Sequence, residues 1–542
     1  MPLEALKGDG KPGEGAKTSS YDRGKVQQLV RALTPPKVEL PPEGARITVH
    51  AAVSRFSVLY ERIRTAVEYK EDHLLRKGAI LRILKRQILL ETDPHVIANN
   101  LVRELIAARY LPNAALPDTL IDDAALRVRK LQAIARARVG GERHMKWVLG
   151  VIAAELEETL VDATREKTLV TFLYEQLADK IQVRGAELDE TERRLQIYVA
   201  CYRSLVKADE DTVGYKLLRA YLPEWNRPDE WLDSPRPVAE RLLTVQQKIS
   251  GRLRHPLSQR FLRAVRPWAV SFSLLVEAAS EEQERASMLQ SREDVHAAVE
   301  HVTARREREV RAKLRRGTVR AMIYLLVTKM IFALVLELPI EWYWYREISW
   351  LALGINLSFP PILMFFVGIL IRKPGADNRR KILQVVDDVM GSAGIPALEL
   401  RIPRSRRGFT LFFMRLVYAF TFFITFGLVG FGLWLIDFTW IATVIFFFFL
   451  CLVSFFGYRL RQSAREIIVV QSKERMITTV ADFFFLPILR AGQWLSVSIS
   501  RLNIFVFLFD FLFEAPFKLF LNVLEDWLSF IKEKKEELTD ES

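Results

Sequence analysis

Ala321-Met-Ile-Tyr-Leu-Leu-Val327 and Ile445-Phe-Phe-Phe-Phe-Leu-Cys-Leu-Val453 stand near the two ends of the stretch that decides the fold. Between Ala321 and Gly457, long apolar runs alternate with short polar or basic breaks. A helix needs about 20 mostly apolar residues to cross a bilayer. Four runs reach that length: Ala321–Ile340, Ile348–Ile371, Phe409–Ile436 and Phe438–Gly457. The expectation is an all-α protein with a four-helix transmembrane domain over 321–460. Pro360-Pro361 removes two backbone donors in mid-run, so the second crossing should kink. Asp437 alone separates the third and fourth runs, which predicts a tight hairpin.

Direction follows from lysine and arginine, which stay on the cytoplasmic side. Arg315, Arg316 and Arg320 precede the first run. Arg379, Arg380, Lys381, Arg404, Arg406 and Arg407 lie in a basic loop over 372–408. Arg459, Arg461 and Arg465 follow the fourth run, whereas the two intervening loops hold only Arg346. Both chain ends and the basic loop should therefore be cytoplasmic, and in a bacterium the membrane would be the plasma (inner) membrane. Trp342, Tyr343, Trp344 and Tyr345 would form an aromatic belt at the outer face. The three arginines before the first run and the six basic residues of the loop are expected to contact anionic lipid headgroups. Ile382, Leu383, Val385, Val386 and Val389 predict an amphipathic helix lying in that interface.

Reading toward the start, the chain changes character before Arg320. Residues 280–320 are dense in Glu and Arg, with a thin stripe of Val295, Val299, Val302 and Val310. They predict a charged stalk helix, with coiled-coil pairing as its mode of association, that runs straight into the first crossing. Ser291 with Asp294 is a candidate N-terminal capping box. Residues 45–279 show helical periodicity and cap signals such as Asp93-Pro94 and Asp189 with Glu192, and should form an all-helical cytoplasmic domain. A proline-rich stretch holding Trp225 and Trp231 should be an ordered connection within it. Residues 1–44 are rich in Gly, Lys, Pro and Ser, and are expected to be a disordered tail.

Reading toward the end, residues 461–531 are apolar yet striped. Asn503, Asp510, Glu514, Lys518, Asn522 and Asp526 fall on one helix face. The segment should lie at the interface or re-enter the membrane, with a charged cytoplasmic tail over 532–542.

Composition narrows function more than it identifies it. The 542 residues carry a net charge of +13, which suits anionic lipid, and the densest arginine clusters abut the apolar runs. Basic faces in the soluble part lack aromatic interleaving, so nucleic acid is not expected. Two cysteines, Cys201 and Cys451, do not make a disulfide framework. None of the seven histidines forms a metal-ligand pair, and Glu155, Glu157 and Glu158 read as a solvated acidic face. No catalytic motif, metal or cofactor is expected. Ionisable and strongly polar residues inside apolar runs are costly and mark function. Here they are Lys329, Glu337 and Asn356, joined by Asp510 and Glu514 if their segment enters the membrane. Two functions compete. One is a non-enzymatic membrane-anchored scaffold whose helical domain binds a cytoplasmic protein. The other is a channel or transporter subunit, working as a homo-oligomer, in which those five residues line a path.

Overall fold

The computed structural model describes residues 21–34, 46–49, 58, 61, 71–185, 188–281, 285–346, 350–371, 375–401, 408–464, 468–469, 486–494, 523 and 527. The protein is all-α: seventeen α-helices are joined by a single two-stranded sheet among the described residues. Nine of the helices, from Asp72–Leu90 to Ser258–Glu281, build a helical unit before the apolar half. Their ends follow local chemistry. Asp93 caps the His95 amide with Pro94 in the first turn, and Asp209 caps Thr212. Asp189 makes no such bond, and Glu192 pairs with Arg252 on a neighbouring helix. Trp225 and Trp231 are buried and stacked at 5.7 Å between centroids, which pins the proline-rich connection.

Three segments expected elsewhere join this unit. The first is Arg23–Leu33, a helix inside the tail expected to be disordered. Asp22 caps its first amides, and Val26, Leu29, Ala32 and Leu33 are buried. The second lies in the basic loop. Helix Ala376–Met390 buries Ile382, Val385, Val386 and Val389 in the core of the helical unit, not in a lipid interface. Beyond it, Leu398–Arg401 pairs in parallel with Ile181–Arg184, in register from Ile181 opposite Leu398 to Arg184 opposite Arg401. The third is the stalk. Its stripe of Val295, Val299, Val302 and Val310 is not free for a coiled-coil partner, because it is buried against the same core. Glu307 on this helix is fully buried and held by Arg311 (3.1 Å) and Arg379 (3.0 Å).

Asp387 ties these additions together. Its carboxylate accepts from Tyr21 Oη (2.8 Å), Arg292 Nη2 (2.6 Å) and His296 Nε2 (2.8 Å). Lys25 Nζ adds bonds to the carbonyls of Val389 and Gly391, each 2.9 Å. One side chain thus joins the amino-terminal helix, the loop helix and the start of the long helix. Burial pushes the Asp387 carboxyl up, but the bonds from Arg292, His296 and Tyr21 outweigh it and leave it below its ordinary value.

Four helices are long and apolar enough to cross a membrane. Candidate span one belongs to a continuous helical run of 52 residues, Arg292–Tyr343; the others are Trp350–Ile369, Phe412–Trp434 and Trp440–Arg461. Spans one, two and four share a core of Ala321, Leu325, Met364, Ile445, Phe449 and Val453. Span three lies outside it and leans on span four through Phe426 and Phe447, 5.2 Å apart. Where span one meets span two, a β-carbon at Gly368 would lie 2.5 Å from Thr318 Cγ2, so only glycine permits that approach. Residues 486–494 are helical and pack at the level of Cys451, midway along span four. A β-carbon at Gly492 would meet the Cys451 carbonyl oxygen at 2.3 Å.

The Asp387 junction sets a pH dependence with a definite sign. Its folded value is depressed, so its stabilisation is complete above the unfolded value, about 4. It is lost as pH falls through the lowered folded value. A nitroxide at exposed Gln28 should be immobilised at neutral pH and released on acidification. Asp387→Asn should weaken docking of this helix at neutral pH by about 1–3 kcal/mol, read as a mobile spectral fraction.

Candidate functional site

The polar residues of the apolar half converge on one face of span one. Ala321, Leu325, Lys329, Ala333, Glu337 and Glu341 are all buried and recur every fourth residue. A regular α-helix turns roughly 100° per residue, so eight residues would leave Glu337 about 80° from Lys329. The helix corrects this with a π turn over Ala333–Glu337. One residue is added to the turn, and Glu337 returns to within about 20° of the Lys329 face. The cause is local. Pro339 has no amide hydrogen, and its ring would strike the carbonyl of Val335, four residues back.

The result is a closed polar cluster. Lys329 Nζ donates to Glu337 Oε2 at 3.0 Å and sits 5.1 Å from the centre of the Phe449 ring. Asn356 of span two donates from Nδ2 to Glu337 Oε1 at 2.5 Å and to the Ala442 carbonyl at 3.4 Å. Lys329, Glu337 and Asn356 are each 0% exposed. Charges buried this deeply are tolerated only when paired and hydrogen-bonded. One turn further on, Glu341 is 1% exposed and Oε1 accepts from Thr439 Oγ1 at 3.1 Å. Glu341 Oε2 and Asn356 Oδ1 have no hydrogen-bond partner among the described residues.

Lys329, Glu337 and Asn356 are therefore brought together as three consecutive links of one network. Asp510 and Glu514 lie outside the described residues, as do Arg404, Arg406 and Arg407. Arg315, Arg316, Arg320 and Arg380 are exposed, and Lys381 donates to Gln384 at 3.1 Å. Arg379 is engaged by Glu307 rather than free for a headgroup. Glu341 and Thr439 were not anticipated. The signal was present as spacing, since Glu341 is four residues after Glu337, but the surrounding aromatic residues pointed only to a belt.

The helical unit carries a second buried pair. Lys130 Nζ donates to Glu155 Oε1 (2.6 Å) and to the Trp225 carbonyl (2.9 Å), and Trp225 Nε1 donates to Glu155 Oε2 (2.9 Å). Burial pushes the Lys130 ammonium below its ordinary value, against the pull of Glu155. Glu157 binds Arg76 at 2.6 Å, and Glu158 binds Lys216. The three glutamates are thus cross-links between helices, not a solvated face. Among the described residues no group of three or more His, Cys, Asp or Glu is placed to hold a metal ion.

No family model matches the chain, and neither a curated protein nor a solved structure does.

If Lys329 and Glu337 depend on each other, breaking the pair from one side is costly. Lys329→Met should destabilise the detergent-solubilised protein by about 3–5 kcal/mol. The double variant Lys329→Met/Glu337→Met should be the more stable of the two in the same unfolding assay, because no lone charge remains. A double variant as unstable as the sum of the singles contradicts the pairing.

Proposed function

We propose that the protein is a multi-pass membrane protein that presents a helical interaction domain at the cytoplasmic face of the bilayer, without a chemical step of its own. The observation that carries this reading is the stitching of residues 376–401 into the helical unit. Span one leaves that unit and span two returns to it, so the loop and the unit share one side. Spans three and four repeat the excursion, and Val469 then donates its amide to Asn378 of the loop helix at 2.8 Å. Two excursions, each returning to the same domain, give an even number of crossings. The exposed Arg315, Arg316, Arg320 and Arg380 then lie toward the domain side and meet anionic headgroups there. Such a domain is held to the bilayer by several chain connections rather than by one flexible tether. That suits a scaffold whose cytoplasmic protein partner must be met at a set orientation.

A channel or transporter subunit is the second reading. It is favoured by two buried oxygens of this cluster that have no partner among the described residues, Glu341 Oε2 and Asn356 Oδ1. Against it stands the mutual satisfaction of Lys329 and Glu337, which fits a structural staple.

Full-length protein in proteoliposomes separates the two. Ion leak no greater than in empty vesicles, unchanged by Glu337→Gln, is expected. In-cell cross-linking of the full chain should join a cytoplasmic protein to the helices of 72–281. A robust flux abolished by Glu337→Gln, with no such cross-link, overturns the scaffold reading.

A further inference from the structure

We propose that Glu341 is a proton-binding site: the bundle end near Trp440 holds one neutral carboxylic acid beside the Lys329–Glu337 ion pair. The inference is independent of the scaffold reading. It begins with a charge count. The cluster contains one lysine and two glutamates, and Lys329 is already committed to Glu337 at 3.0 Å. Glu341 is 1% exposed and has no cation of its own among the described residues. A lone carboxylate buried among apolar side chains is strongly disfavoured and is neutralised by a proton instead.

The hydrogen bonds make the same point separately. Thr439 Oγ1 donates to Glu341 Oε1, while Glu341 Oε2 and Asn356 Oδ1 are acceptors without donors among the described residues. The Asn356 amide is oriented by Glu337, since only its nitrogen can donate to that carboxylate. The Glu341 carboxyl is thus hydrogen-bonded through one oxygen only, and a buried carboxylate so poorly satisfied is disfavoured against its protonated form. A metal ion would need several oxygen ligands, whereas two unpartnered oxygens are on offer here. A proton needs only one.

The groups facing Glu341 come from span one and the start of span four. Its own helix contributes Glu337 and Lys329. Span four contributes Thr439, which is not ionisable; span two reaches the cluster through Asn356, which binds Glu337. Thr439 also accepts from the Ala442 amide at 3.2 Å, so the start of span four points its partial positive charge this way. That partial charge offsets less than the desolvation of a full carboxylate. Loss of the proton would place two carboxylates beside one lysine, and Glu341 would then compete with Glu337 for Lys329. Packing between spans one and four would thereby respond to pH.

Infrared difference spectroscopy of the full chain in lipid vesicles tests this. The spectrum of wild type minus Glu341→Gln at neutral pH should show loss of a carboxylic-acid carbonyl band. Loss of carboxylate bands instead overturns the proposal. Should Glu341→Gln fail to fold, Glu341→Asp serves. A shifted acid band then supports the proposal, and a shifted carboxylate band overturns it.

Discussion

A lysine ammonium cannot be left alone among apolar side chains, and the apolar half of this protein is arranged around that constraint. Lys329 needs an anion, and Glu337 is eight residues away, off the face that a regular helix would offer. Pro339 forces the π turn that brings the carboxylate round. Asn356 then secures the second carboxylate oxygen and draws span two against span one. The ring of Phe449 and the carbonyl of Ala442 bring in span four. Three helices meet at one polar node because each supplies what the lysine and its partner still lack. Span three supplies nothing to that node and sits at the margin.

The same helix that carries Lys329 begins far from it, within the core of the helical unit. From Arg292 to Tyr343 it serves two environments without a break. Its first part is buried through Val295, Val299 and Val302, and its last part through Leu325, Lys329 and Glu337. Leu314 is its last buried residue in the first core and Ala321 its first in the second. The loop helix, the parallel strand pair and the amino-terminal helix close around this shared element. One continuous helix therefore joins span one to the helical unit.

The spans were legible because length and apolarity suffice to recognise them. Lys329, Glu337 and Asn356 were legible because polar groups in such runs stand out. The loop helix was legible as an amphipathic helix but was placed against lipid. Its pattern is the same whether Ile382 and Val386 meet acyl chains or a protein core, so periodicity cannot decide. Arg23–Leu33 was missed because an eleven-residue amphipathic helix is diluted by the polar residues around it. Glu155 was misread because its cation, Lys130, lies on another helix, 25 residues away. Glu341 was overlooked beside Trp342 and Tyr343, whose exposed rings dominate that stretch.

The segment between spans two and three is part of the helical unit. Arg184 and Arg401 are directly opposite in the parallel strand pair, and both are exposed. Nitroxides at these two positions in the full-length protein would sit on strands about 5 Å apart. Continuous-wave spectra in lipid should show strong dipolar broadening in the doubly labelled protein, absent from the sum of the two single labels. Spectra of the double label that equal that sum would place the loop away from the domain and contradict the account.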